Sequence, residues 1–192
     1  MPATNQQKLD YIANLIANCT RCPLIKTATH PVPGSGNPEA KIVFIGEAPG
    51  YFEDQQGLPF VGNSGKLLDK LLNSINLTRA DVFICNILKH RPPNNRDPLP
   101  AEISVCTPYL KAQLEVIKPK IIITLGRFAL NYFLPLDSIS RVHGQVRQLS
   151  WQGIDLNLIP VYHPSAALRN GSMMAALKAD FNTINQFLIL NL

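Results

Sequence analysis

Four short apolar runs, Ile42–Ile45, Val82–Cys85, Ile121–Leu125 and Leu158–Val161, constrain the fold of this chain more than any other feature. Each is strand-length and rich in β-branched residues, so each reads as a strand buried on both faces. Helical spacing fills the intervals. Residues 6–18 place Leu9, Ile12, Ala13 and Ile16 on one face, and Ser64–Ile75 follows a cap at Asn63 or Ser64. Ala101–Ile117, Arg127–Phe133 and Met173–Leu190 complete the set. Strands alternating with helices predict an α/β fold, with a mostly parallel sheet covered on both faces. A length of 192 residues suits one domain spanning 1–192.

Composition narrows the class. With 46% apolar and 16% charged residues, the chain is not generally disordered. No apolar run approaches the roughly 20 residues of a spanning helix, and the start, MPATNQQKLD, lacks the pattern of a secretory signal. The expectation is a cytoplasmic protein without a membrane partner. A net charge of +5 suits a polyanionic partner, though only weakly. Its distribution is more telling: Lys89, His90, Arg91 and Arg96 share one loop, and Arg169 lies in a second.

In open α/β sheets ligands bind beyond the carboxyl ends of the strands. After the first run comes Gly46-Glu47-Ala48-Pro49-Gly50; after the second, Asn86 and the basic loop. Gly126-Arg127 follows the third and Tyr162-His163-Pro164-Ser165 the fourth, so the unusual polar elements gather at one edge. The stretch Gly46–Gly65 reads as a long functional loop whose glycines let backbone approach a ligand, without the spacing of a dinucleotide fingerprint. Phe60 in that loop is a core aromatic or a platform for a planar base. Asn86, at the end of a buried strand, offers a donor and an acceptor on one amide. His163 is a candidate neutral donor, and Ser165, Leu168 and Arg169 suit a loop that grips phosphate and wedges a duplex.

Together GEAPG, GLPFVGNSG, LKHRPPNNRDPLPAE and HPSAALR, in this order and at strand ends, resemble the family 4 uracil-DNA glycosylases from Cys19 to roughly the last helix. The resemblance implies a three-layer α/β/α sandwich around a four-stranded parallel sheet, and a monofunctional enzyme of base excision repair that leaves an abasic site. It implies that Phe60 stacks on uracil, Asn86 reads its edge and His163 bonds O2, where charge develops as the base departs. The backbone around Gly46–Ala48 would complete the pocket. Where family 1 relatives have a water-positioning aspartate, this chain has Ala48, so Glu47 and Asp54 are the candidates for handling water. Uracil-containing DNA is the implied partner, bound by a monomer.

The resemblance also implies a [4Fe–4S] cluster. Cys19, Cys22 and Cys106 match three of its ligands, but the usual fourth cysteine, before Arg-Pro-Pro, is replaced by His90. Histidine serves on iron in some clusters. Cys85 is the other candidate; it immediately precedes Asn86 on a strand, so it would face the core. His90 is therefore favoured. Such a cluster would be structural, and zinc on the same residues is chemically possible. Two rival functions are a protein that captures uracil-DNA covalently, through His143, and an iron–sulfur DNA-binding module without base chemistry.

Overall fold

The computed structural model describes residues 2–191. Its six strands are β1 (Ser35–Gly36), β2 (Ile42–Gly46), β3 (Phe83–Asn86), β4 (Ile121–Leu125), β5 (Arg147–Trp151) and β6 (Ile154–Val161). They form one sheet in the order β1-β3-β2-β4-β6-β5. The four predicted apolar runs are its parallel centre, with Gly46 opposite Asn86. Two strands were not expected: β1 lies antiparallel on β3 and β5 antiparallel on β6, so they close both edges of the sheet. A tight turn joins β5 to β6 with Gln152 at φ 54° and Gly153 at φ 79°, as a two-residue hairpin turn requires.

Strand alternation divides the core. Val43, Ile45 and Ile122 face one layer, made by α1 (Asn5–Ala17), α4 (Pro100–Ile117) and α5 (Arg127–Phe133). Ile42, Phe44 and Ile123 face the other, made by α3 (Asn63–Ser74) and the closing α8 (Gly171–Asn191). The result is the expected three-layer α/β/α sandwich. Phe44 stacks on Phe181 at 6.1 Å between ring centroids, which ties α8 to the central strand.

Local signals set most helix ends. Thr4 and Gln7 form a capping box at the start of α1. Pro100 occupies the first turn of α4, where its missing N–H costs no hydrogen bond. The start of α3 departs from expectation: its cap is Gly62, not Asn63 or Ser64, and no side chain bonds there. The stretch 46–65 is also not one loop, because it contains α2 (Tyr51–Gln56), closed by Gly57 in the left-handed region at φ 68°. Short helices α6 (Ile139–Val142) and α7 (Pro164–Ala167) flank β5 and β6.

Candidate active site

A cavity of about 540 Å³ opens at the carboxyl ends of the parallel strands. Glu47 and Ala48 reach it after β2, Asn86 at the end of β3, Arg127 after β4, and His163, Ser165 and Arg169 after β6. Phe60 forms part of its wall. Glu47, Ala48, Phe60, Asn86, His163, Ser165 and Arg169, seven of the site residues put forward from the sequence, are thus brought to one cavity.

Gly46 lies against its base, where a side chain has no room. A Cβ there would come 2.3 Å from Asn86 Oδ1 and 2.7 Å from Phe60 Cζ. Asn86 is buried, and its Oδ1 has no hydrogen-bond partner. Such atoms are rare in folded proteins and point to a ligand group that pairs with them. The Asn86 carbonyl, by contrast, is fixed: it accepts a 2.8 Å bond from Nζ of Lys89, a lysine with no exposed surface. That ammonium also donates to Oε1 of Gln113 at 2.7 Å and to the carbonyl of Pro33 at 3.3 Å.

Phe60 has φ 53°, a left-handed conformation that costs a non-glycine residue about 1–3 kcal/mol. Its surroundings impose it. Glu53 Oε1 accepts the Val61 and Gly62 N–H groups at 2.9 and 3.0 Å. On the other side, Arg79 donates to the carbonyls of Pro59 (2.9 Å) and Phe60, and its Nε is held by Asp69 at 2.7 Å. Gly65 gives the Phe60 carbonyl its space, since a Cβ there would sit 1.7 Å from that oxygen. The Phe60 and His163 rings lie 5.7 Å apart across the cavity wall.

The state of His163 follows from its contacts. The Ser165 N–H donates to Nδ1 at 3.1 Å, and the Ser165 hydroxyl lies 2.8 Å from the same atom. Nδ1 is therefore an acceptor, and a neutral ring carries its proton on Nε2. Burial, with Arg169 nearby, pushes the imidazole down to about 4, against a smaller opposing pull from Glu53. At neutral pH the ring is an uncharged N–H donor. Glu47 is shifted the opposite way: burial and the neighbouring Asp97 push it up to about 7, although Arg127 partly opposes them.

Other expected site residues lie elsewhere. Asp54, offered as a water-handling carboxylate, does not line the cavity: it is buried, and its Oδ1 accepts the Thr29 N–H at 2.8 Å. Its role here is to fix the segment before β1. Leu168, at the end of α7, stands 48% exposed beside the cavity-lining Ser165 and Arg169. His143 bonds Asp180 through Nδ1 at 2.9 Å and packs on Tyr162, outside the cavity lining. That position disfavours it as a nucleophile.

Several cavity residues carried no sequence signal that was used. Arg127 follows Gly126 directly after β4, so the sequence placed it at this edge but assigned it no role. Asp97, which pairs with it at 2.5 Å, and Glu53 act across stretches of chain that no local pattern reveals, as does Arg79, which lies outside the cavity.

The residues proposed for a cluster gather on the flank of the α1/α4 layer. Cys19, Cys22 and Cys106 lie within electrostatic reach of one another, and Cys19 and Cys22 pack against the core that holds Cys106. The Cys22 sulfur accepts the Leu24 N–H and that of Cys106 the Lys89 N–H at 3.3 Å, contacts that suit cluster-bound thiolates. His90 and Cys19 line a hollow of about 390 Å³. Cys85 faces the core, where Gly34 packs against its Cβ. Among the described residues no three His, Cys, Asp or Glu side chains are placed to hold a single metal ion. A four-iron cubane asks for something else, because each ligand meets a different iron. The three sulfurs, two of them with N–H donors, and the imidazole nearby fit such a group.

A buried amide, an aromatic wall and a neutral histidine thus meet at the strand ends of a three-layer α/β fold. The family model of the Uracil DNA glycosylase superfamily matches residues 33–189, and the chain belongs to that superfamily. Within it, the chain is 47% identical over 185 residues to the type-4 uracil-DNA glycosylase of Archaeoglobus fulgidus, covering 94% of this chain and 93% of the relative. The type-4 enzyme of Saccharolobus solfataricus is also 47% identical (94% and 86% covered), and that of Sulfurisphaera tokodaii 43% (94% and 85%).

Proposed function

We propose that this chain is a monofunctional uracil-DNA glycosylase that hydrolyses the N-glycosidic bond of an extruded uracil and leaves an abasic site. The observation that carries this reading is Asn86: a buried amide with an unpartnered oxygen, beside an aromatic ring and a neutral imidazole donor. Uracil stacks on Phe60, accepts at O4 from the Asn86 NH₂ and donates N3–H to its Oδ1. Cytosine presents a donor and an acceptor in the reverse places, so it leaves both amide atoms unpaired. Gly46 keeps the space between the two residues open, and Ala48 lines the floor.

The bond between C1′ and N1 breaks with its electron pair passing to the base. His163 donates Nε2–H to O2, where the charge collects, and being uncharged it gives up no proton to do so. Water then adds to C1′. Glu47 takes the proton of that water, since Asp54 is committed to the Thr29 backbone. No lysine lines the cavity among the described residues, so no amine stands ready to cut the strand. Ser165 and Arg169 bind the flanking phosphates, and Leu168 fills the gap left in the duplex.

Cys19, Cys22, Cys106 and His90 would hold a [4Fe–4S] cluster that ties the N-terminal segment to the loop after β3. When bound it supplies structural cross-linking, not electron transfer. The protein would act as a single-domain monomer on uracil-containing DNA. Four unpaired cysteines suit a reducing cytoplasm. No helix of the described residues is long and apolar enough to cross a membrane.

The test is a labelled oligonucleotide with one uracil and matched cytosine and thymine controls, incubated, treated with alkali and run on a denaturing gel. Uracil-dependent cleavage that falls in Asn86→Ala and His163→Ala supports the assignment. Metal-loaded protein that releases no uracil sinks it, and a shifted band resistant to SDS transfers it to covalent capture.

A further inference from the structure

We infer that Arg79, oriented by Asp69, is a positioning residue for base recognition: it holds Phe60 in the left-handed conformation that presents its ring to the base. The inference rests on the reading of Phe60 as the stacking platform. Arg79 precedes β3 and Asp69 lies on α3; neither lines the cavity. Yet the guanidinium spends its donors on the loop, with NH1 on the Pro59 carbonyl at 2.9 Å, NH2 on the Phe60 carbonyl and Nε on Asp69 at 2.7 Å.

Two features separate this arrangement from an ordinary surface ion pair. First, the planar guanidinium grips successive carbonyls, whose orientations are set by the φ and ψ of Phe60. Losing that grip frees the peptide on either side to return to an ordinary conformation. Second, the opposite edge of the same turn is gripped by an acid, Glu53, which takes the two following N–H groups. The turn is thus held from both sides by charged groups of opposite sign. Only the Arg79 side lies outside the cavity, so it alone can be altered without touching the base.

The experiment measures product inhibition by free uracil and steady-state kinetics on a uracil oligonucleotide. It compares the full-length wild type with Arg79→Met, Arg79→Lys, Asp69→Asn and Phe60→Ala, each checked for a cooperative melt and for metal content. The expected result is at least tenfold weaker uracil inhibition in Arg79→Met, with a raised KM. Arg79→Lys recovers part of this by restoring one donor, and Asp69→Asn falls between. Should Arg79→Met fail to fold, Asp69→Asn and Arg79→Lys carry the comparison. Uracil inhibition equal to wild type in the folded Arg79 and Asp69 variants, while Phe60→Ala weakens it, overturns the inference and leaves the platform standing. Unchanged inhibition in Phe60→Ala itself overturns both.

Discussion

The neutral state of His163 has a cost that shows in stability. The unfolded chain takes up a proton on this residue below its ordinary value of 6.5, whereas the folded chain does so only near 4. Burial is the main cause of the reluctance, Arg169 close by adds to it, and Nδ1 is already occupied as acceptor of the Ser165 N–H. Falling pH therefore favours the unfolded state across this window. The stability is complete above pH 6.5 and is lost as pH falls toward 4. The interval, at about 1.36 kcal/mol per pH unit, amounts to about 3 kcal/mol, of which about 2 kcal/mol has gone by pH 5. For a chain of this size that corresponds to roughly 4–8 °C in melting temperature. Urea unfolding at pH 7 and pH 5 should be compared between wild type and His163→Asn, which cannot titrate. Carboxylates titrate in both proteins, so the difference between them isolates the imidazole. The wild type should lose about 2 kcal/mol more than the variant over this range. Parallel losses in the two proteins would refute the argument, and with it the claim that the ring is held as an uncharged donor.

Further outcomes are expected elsewhere in the site. Gly46→Ala drives a methyl into Asn86 and Phe60 and should cost roughly 1–3 kcal/mol in urea unfolding along with most uracil release; Gly171→Ala, with no neighbour within 4 Å, should leave both nearly unchanged. With Glu47 pushed up to about 7, its carboxyl is protonated below that value, so kcat/KM should fall as pH drops from 8 to 6. Glu47→Gln should be slower and flat over the same range, and an unchanged profile would exclude Glu47 from handling the water. Lys89→Met leaves the Asn86 and Pro33 carbonyls without their ammonium partner. It should destabilise the fold by about 1–3 kcal/mol and raise KM, read by urea unfolding and steady-state kinetics.

Much of this was legible because the chemistry sits where the strands end. Gly46, Asn86 and Gly126 each follow an apolar run directly and His163 comes one residue later, so finding the strands found the site. The edge strands were hidden by their exposure: Arg147, Gln148 and Ser150 of β5 face solvent and dilute its pattern, and β1 is two residues long. Glycine and proline on both sides masked α2 within 46–65. Its acids Glu53 and Asp54 are both buried, and each accepts backbone N–H groups from other segments, which no local pattern announces. Arg79 was unreadable for the same reason, since its partners are carbonyls of a turn about twenty residues earlier. Sequence patterns report which face a residue shows, but not which remote backbone group it completes.

The order of the sheet bears on how activity is lost. Asn86, Arg127 and His163 come from three strand ends that adjoin only when β3, β2, β4 and β6 are all paired, and those pairings join segments far apart in the chain. A part of the protein that lacks any of these four strands does not hold the whole pocket. A partly unfolded form that keeps only the β5–β6 hairpin, or only the α1/α4 layer, is inert. Catalysis therefore reports cooperative integrity of the whole sheet, and its decay under heat or denaturant should track the global transition with no earlier loss from a local opening.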